Sequence, residues 1–154
     1  MSGDRRDDGA GSRMVVSGID SPVVTATVRL VTPFVLTFGL FTAFHGTSSV
    51  GGGFQGGVVV AASIVLVLFS FGLDRTLRWL DTTAMTVLAV GGVLVFAGVA
   101  VAAIGFGGPY LDLSAYPVPK AVVYGVELIE LGIGATVATA IVAMVVEVGR
   151  WGRR

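Results

Sequence analysis

The sequence predicts an all-α membrane protein of four transmembrane helices with both ends on the cytoplasmic side. Three observations carry that prediction. Charged residues make up 13% of the chain, against roughly 25% in soluble domains. Four apolar runs approach or exceed the ~20 residues a helix needs to cross a hydrocarbon core about 30 Å thick. Lys and Arg are distributed very unevenly among the segments that join those runs.

The first run, Val23–Phe44, carries one charge, Arg29. The second, Phe54–Phe71, and the third, Thr83–Phe106, carry none. The fourth, Ala121–Val148, carries Glu127, Glu130 and, at its very end, Glu147. The expected organisation is a polar cytoplasmic tail over 1–21, which lacks apolar periodicity and reads as disordered, then a four-helix transmembrane domain over 22–154. The first run is too long for the apolar part of a secretory signal, and acidic residues crowd its N-terminal flank. Met14 is an alternative start.

Nine of the ten basic residues fall at one end of the predicted bundle: Arg5, Arg6, Arg13, Arg29, Arg75, Arg78, Arg150, Arg153 and Arg154. Lys120 alone falls at the other. The positive-inside rule then puts both termini and the Arg75/Arg78 loop in the cytoplasm. The turn after the first helix and the loop "GGPYLDLSAYPVPK" face out.

Several function classes drop away at once. There is no cysteine, so disulfides, zinc–thiolate sites and thiol catalysis are excluded. There is no asparagine to glycosylate. Ten acidic residues balance ten basic ones, so no bulk charge favours nucleic acid. No nucleophile–base pair, metal-ligand spacing or cofactor motif stands out; no enzyme activity, metal or cofactor is expected.

In the first helix Pro33 clashes with the carbonyl four residues back, that of Arg29, so a kink is expected there. Arg29 lies six residues into the span, about 9 Å deep, and reads as an interface anchor that snorkels out, the alternative being a functional partner for an acid in the membrane. The second helix puts Gln55, Ser63 and Ser70 on one face together with Gly52 and Gly56, a surface suited to close helix packing. The third has Ala84, Gly91, Gly98 and Gly105 at seven-residue spacing, a smooth seam for another helix.

The fourth helix, in "YGVELIELGIGATVATA", is the unusual one. Glu127 and Glu130 are three apart and neighbours on one face, with Gly134 one turn further. Carboxylates inside a bilayer face protein, water or an ion path. Two of them close together favour sharing a proton or a cation. Glu127 is near the outer end of the span, where solvation alone accounts for it; Glu130 is deeper and is the main candidate.

The turn "HGTSSVGGGFQGG" holds six of the 23 glycines, the one histidine, His45, and the one glutamine, Gln55. Gly51-x-Gly53-x-x-Gly56 formally fits a dinucleotide fingerprint, with Asp74 eighteen residues on. That motif needs a strand before it, whereas a membrane helix precedes it here. The helix between Gly56 and Asp74 is about 27 Å long, which puts Asp74 across the bilayer. No Gly-Lys-Ser/Thr follows, so a P-loop fails too. What remains is a side-chain-poor entry into the second helix, built of Gly51, Gly52, Gly53, Phe54, Gln55, Gly56 and Gly57. Glycine permits close backbone approach, and the helix N-terminus favours a carboxylate or anion. Backbone in a membrane must be covered by protein, either a neighbouring subunit or the loop Gly107–Lys120. His45 is a candidate proton carrier; the simpler reading is an interface histidine bonded to solvent or backbone.

These residues resemble a known family. "HGTSSVGGGFQGG" is similar to the signature of the B subunit of Mrp-type multisubunit sodium/proton antiporters, which often reads HGHxxPGGGFQGG. Arg29 matches a basic residue early in that family's first helix, "FGGPYL" a run after its third, and "ELIELGIG" a segment that puts Glu130 on its acidic position. The likeness covers about Val23–Val148. Thr47 stands where the family often has a second histidine and Val50 where it has proline, and Glu127 lies outside the pattern. The resemblance implies a small accessory subunit in the plasma membrane, in a complex with other antiporter subunits that exchanges Na+ for H+. Two alternatives stay open: the same subunit type in a hydrogenase-like, energy-converting redox complex, or a scaffold that only packs.

Overall fold

The computed structural model describes residues 21–46 and 52–151. The expectations for the N-terminal tail, Gly51, Thr47, Val50 and the last arginines lie outside them. The described residues form α1 (Pro22–Ala43), α2 (Gly52–Phe71), a short α3 (Leu73–Leu77), α4 (Thr82–Gly105), one 3₁₀ turn (Leu113–Ala115) and α5 (Ala121–Trp151). Four of these, α1, α2, α4 and α5, are long and apolar enough to cross a membrane, and there is no strand among the described residues. The short α3 has no counterpart in the sequence reading.

Local chemistry sets the boundaries. Pro22 starts α1, where its missing N–H costs nothing. Pro33 lies inside α1, which continues through it. Asp81 caps α4 by accepting from the Thr83 N–H at 2.8 Å. Gly72, at φ 84°, separates α2 from α3, in the left-handed region that glycine adopts without a Cβ penalty. In the loop between α4 and α5 Asp112 accepts from both the N–H and the hydroxyl of Ser114, at 2.9 and 2.5 Å. Those two bonds hold its carboxyl below its ordinary value, the hydroxyl contributing most.

The helices pack in the spatial order α1–α2–α5–α4. The two central helices are the most buried and α1 the least. Many large side chains on the outer faces are exposed, Phe34, Phe38, Leu94 and Val148 among them. That is what lipid or partner subunits require and what water forbids.

The central interface changes character along its length. At the end near α3, side chains make the contact: Ala61 and Leu68 of α2, Leu73 of α3, and Ala138, Val142 and Val146 of α5 form one buried cluster. At the opposite end, backbone meets backbone. A Cβ on Gly57 would sit 2.6 Å from the Gly134 carbonyl oxygen, and one on Gly53 would overlap the backbone of Glu130. One residue round the helix, Gly52 faces Gly46, and a Cβ on Gly56 would lie 2.6 Å from Ala43. The run GGFQGG thus supplies two glycine pairs, each four apart. Gly52/Gly56 fit α2 against α1, and Gly53/Gly57 fit it against α5.

The contact between α4 and α5 uses the same device. A Cβ on Gly92 would overlap the Gly132 carbonyl, and the Thr136 hydroxyl donates across to the Ala89 carbonyl at 3.0 Å. Such bonds between membrane helices contribute about 0.6 kcal/mol on average. The heptad stripe does not take part: at Gly91, Gly98 and Gly105 a Cβ would meet nothing within 4 Å. Within this chain that stripe is an open outer face, and Gly92, one position round, makes the helix contact.

Two outcomes follow. Gly57→Val drives a side chain into the Gly134 backbone and should cost about 1–3 kcal/mol or more, a lower thermal midpoint in mild detergent, whereas Gly98→Ala should leave it unchanged. The Asp112–Ser114 turn should hold at neutral and mildly acidic pH. The Asp112 pKa is lowered in the fold, so its contribution is present above the unfolded value of 3.8 and fades only as pH falls below that. Hydrogen exchange of the Ser114 amide against pH reads this directly.

Candidate functional site

The turn between α1 and α2 and the face of α5 meet at one side chain. Glu130 projects into the concave space left by three glycines: a methyl on Gly46 would overlap its carboxylate, and a Cβ on Gly52 would come within 2.8 Å of Oε2. Gly53 lies against its backbone. Oε2 is buried and has no hydrogen-bond partner among the described residues. The first turn of α2, whose N–H groups lack intrahelical acceptors, begins at Gly52. A carboxylate therefore sits at the positive end of a membrane helix, in a cradle that any side chain at Gly46 or Gly52 would fill.

The cradle is recessed. Glu130 is nine residues into α5, and the helix before it extends about 13 Å beyond the level of that side chain. That extension carries the loop between α4 and α5: Leu113 packs against Gly125, Tyr116 donates to the Val99 carbonyl at 2.5 Å, and the Phe106 and Tyr116 rings lie 5.0 Å apart. The loop thus rests on α4 and α5. Gly52, Gly53, Gly56 and Gly57 are covered by α1, α5 and the Glu130 side chain itself.

The remaining sequence candidates fall around this point. Glu127 is half-buried one turn away on α5. His45 is exposed, directly precedes Gly46, and its ring lies 4.3 Å from that of Phe41. Gly52, Gly53, Gly56 and Gly57 are buried at helix contacts, whereas Phe54 and Gln55 point outward. Ser63 and Ser70 are buried without Gln55 beside them; Ser63 donates to its own helix, to the Val60 carbonyl at 2.7 Å. No group of three or more His, Cys, Asp or Glu that could hold a metal ion occurs among the described residues. Sequence reasoning passed over Gly46, because the partner of an isolated glycine 84 residues from Glu130 is invisible in one dimension.

A family model described as "Domain related to MnhB subunit of Na+/H+ antiporter" matches residues 23–146. The chain belongs to this family. An antiporter subunit mnhB2 of Staphylococcus epidermidis is 29% identical over 131 residues, covering 82% of this chain and 92% of that protein. An mnhB2 antiporter subunit of Staphylococcus aureus is 33% identical over 94 residues, 60% of this chain and 66% of that protein. The MnhB match spans all four membrane helices, the glycine turn and Glu130, so the cradle lies inside the region that defines the family's domain.

The contact makes a prediction at the level of side chains. Gly46→Ala should destabilise the chain by displacing the Glu130 carboxylate, and Glu130→Gly in the same molecule should relieve most of that loss. Residues in such contact couple by about 0.5–3 kcal/mol. A double-mutant cycle on thermal midpoints measures it, and additive effects would show the two residues to be apart.

Proposed function

We propose that this chain is an accessory subunit of a multisubunit Na+/H+ antiporter in the cell membrane, and that Glu130 is its ion- or proton-handling carboxylate. Membership of the MnhB family supports the first part. The single observation that carries the second is the Glu130 Oε2, buried without a hydrogen-bond partner among the described residues at the mouth of a helix. Ionisable groups at membrane depth are costly to keep and belong by default to ion or proton paths. Glu127, one turn away, and His45, beside Gly46, are the groups through which a proton or cation would reach it. The other antiporter subunits are the partners, and the open face of α4 is the surface offered to them. The chain is a transport component and performs no covalent chemistry.

The same reading orients the molecule with both ends in the cytoplasm. Of the basic residues among those described, Arg29, Arg75, Arg78 and Arg150 lie at the α3 end and Lys120 at the cradle end. The cradle then opens toward the outside.

A scaffold role has one observation in its favour, the open glycine stripe on α4. The two readings separate experimentally. In the intact complex reconstituted into vesicles, Glu130→Gln should leave assembly intact and reduce Na+-driven proton movement by at least about tenfold, the scale of a lost charged contact. Unchanged exchange would remove Glu130 from the path. Gly98→Leu should stop co-purification of the partner subunits if the stripe is their contact.

A further inference from the structure

At the end of the molecule away from the cradle, α1, α2 and α3 leave a groove of about 570 Å³, within the range of about 300–1,000 Å³ typical of small-molecule sites. Its walls are almost wholly apolar, with Leu36 from α1 and Ile64, Val67 and Phe71 from α2. Two cations line the same groove, Arg29 from α1 and Arg75 from α3. Neither is in an ion pair with a described carboxylate. The Arg29 guanidinium lies over the Phe71 ring, 5.3 Å from its centre, which holds the charge at the groove instead of letting it extend freely into solvent.

The polarity of the groove is ordered along the membrane normal. The arginines and the exposed Trp79 stand at its outer end, and Leu36 and Ser63 at its deep end. From Arg29 to Leu36 the rise is about 10 Å, and from Phe71 to Ser63 about 12 Å. This is most of one leaflet of a core about 30 Å thick. Thr32, one turn below Arg29, lines the groove with a buried hydroxyl that has no partner among the described residues. On the same helix Thr27, Thr37 and Thr42 each donate to the carbonyl four residues back. Thr32 is thus left with an unused donor about 4.5 Å below the cationic level.

We infer that this groove binds one anionic phospholipid, its phosphate between Arg29 and Arg75, an ester oxygen at the Thr32 hydroxyl and one acyl chain along Leu36, Ile64 and Val67. Charge complementarity selects an anion, since basic pockets between membrane helices take up acidic headgroups. The one-leaflet depth of the apolar wall selects an amphiphile over a free anion. The lipid would brace α1 against α3, on the edge of the bundle where α1 has the fewest buried residues.

The test is lipid retention. The complex is extracted in mild detergent from vesicles of phosphatidylcholine containing phosphatidylglycerol, and the lipid left bound is quantified by mass spectrometry. Native protein should keep about one phosphatidylglycerol per chain. Arg29→Gln with Arg75→Gln should lower that by at least about tenfold, the scale of a charge-assisted phosphate contact. Thr32→Val should lower it less, and Arg150→Gln, outside the groove, should not change it. Equal retention in the double variant would overturn the inference, as would equal retention of both lipids. Displacement by inorganic phosphate would make this a free-anion site, and a photo-crosslinker at Leu36 that captures a protein subunit would make it a subunit contact. Because the readout is bound lipid, the result is independent of whether Glu130 handles ions.

Discussion

The rest of the molecule depends on the approach of α2 to two neighbours without intervening side chains. Gly52 and Gly56 lay it on α1, and Gly53 and Gly57 lay it on α5. In a bilayer no hydrophobic force drives helices together, because lipid tails are as apolar as leucine. Van der Waals packing and hydrogen bonding between helices remain, and backbone packs directly on backbone only where Cβ atoms are missing. That is why six glycines cluster in one short stretch of a chain otherwise rich in valine and leucine.

The same requirement creates the site. Helices that touch through glycine carry no side chains of their own at this level, and the space between Gly46 and Gly52 is occupied by the Glu130 carboxylate, with Gly53 against the Glu130 backbone. A larger residue there would both separate the helices and expel the acid. The opposite end of the central interface, built from Leu68, Leu73, Val142 and Val146, holds α2 and α5 together by ordinary side-chain packing. The glycine end is thereby free to be shaped around a polar group.

The lateral order α1–α2–α5–α4 leaves two edges with different characters. One is the open stripe of Gly91, Gly98 and Gly105 on α4, smooth enough for a further helix. The other is the cationic groove between α1 and α3, whose graded polarity matches a lipid. The two surfaces lie on opposite flanks of the central pair.

By itself the sequence determined the four membrane helices, because apolar run length is a local property. It also pointed to Glu130, because an acid in such a run is conspicuous wherever it packs. The likeness of HGTSSVGGGFQGG to the B-subunit signature indicates the family from the residues alone. The sequence could not assign the glycines. Heptad spacing marked Gly91, Gly98 and Gly105, whereas the fold uses Gly92 against Gly132, since the rotation of α4 is set by its neighbour and not by its own periodicity. Nor could it join Gly46 to Glu130, or Arg29 to Arg75, pairs separated by long stretches of chain. Those juxtapositions exist only once α2 is seated between α1 and α5, because a contact between helices depends on the depth and rotation of both, and neither is written in the residues of one.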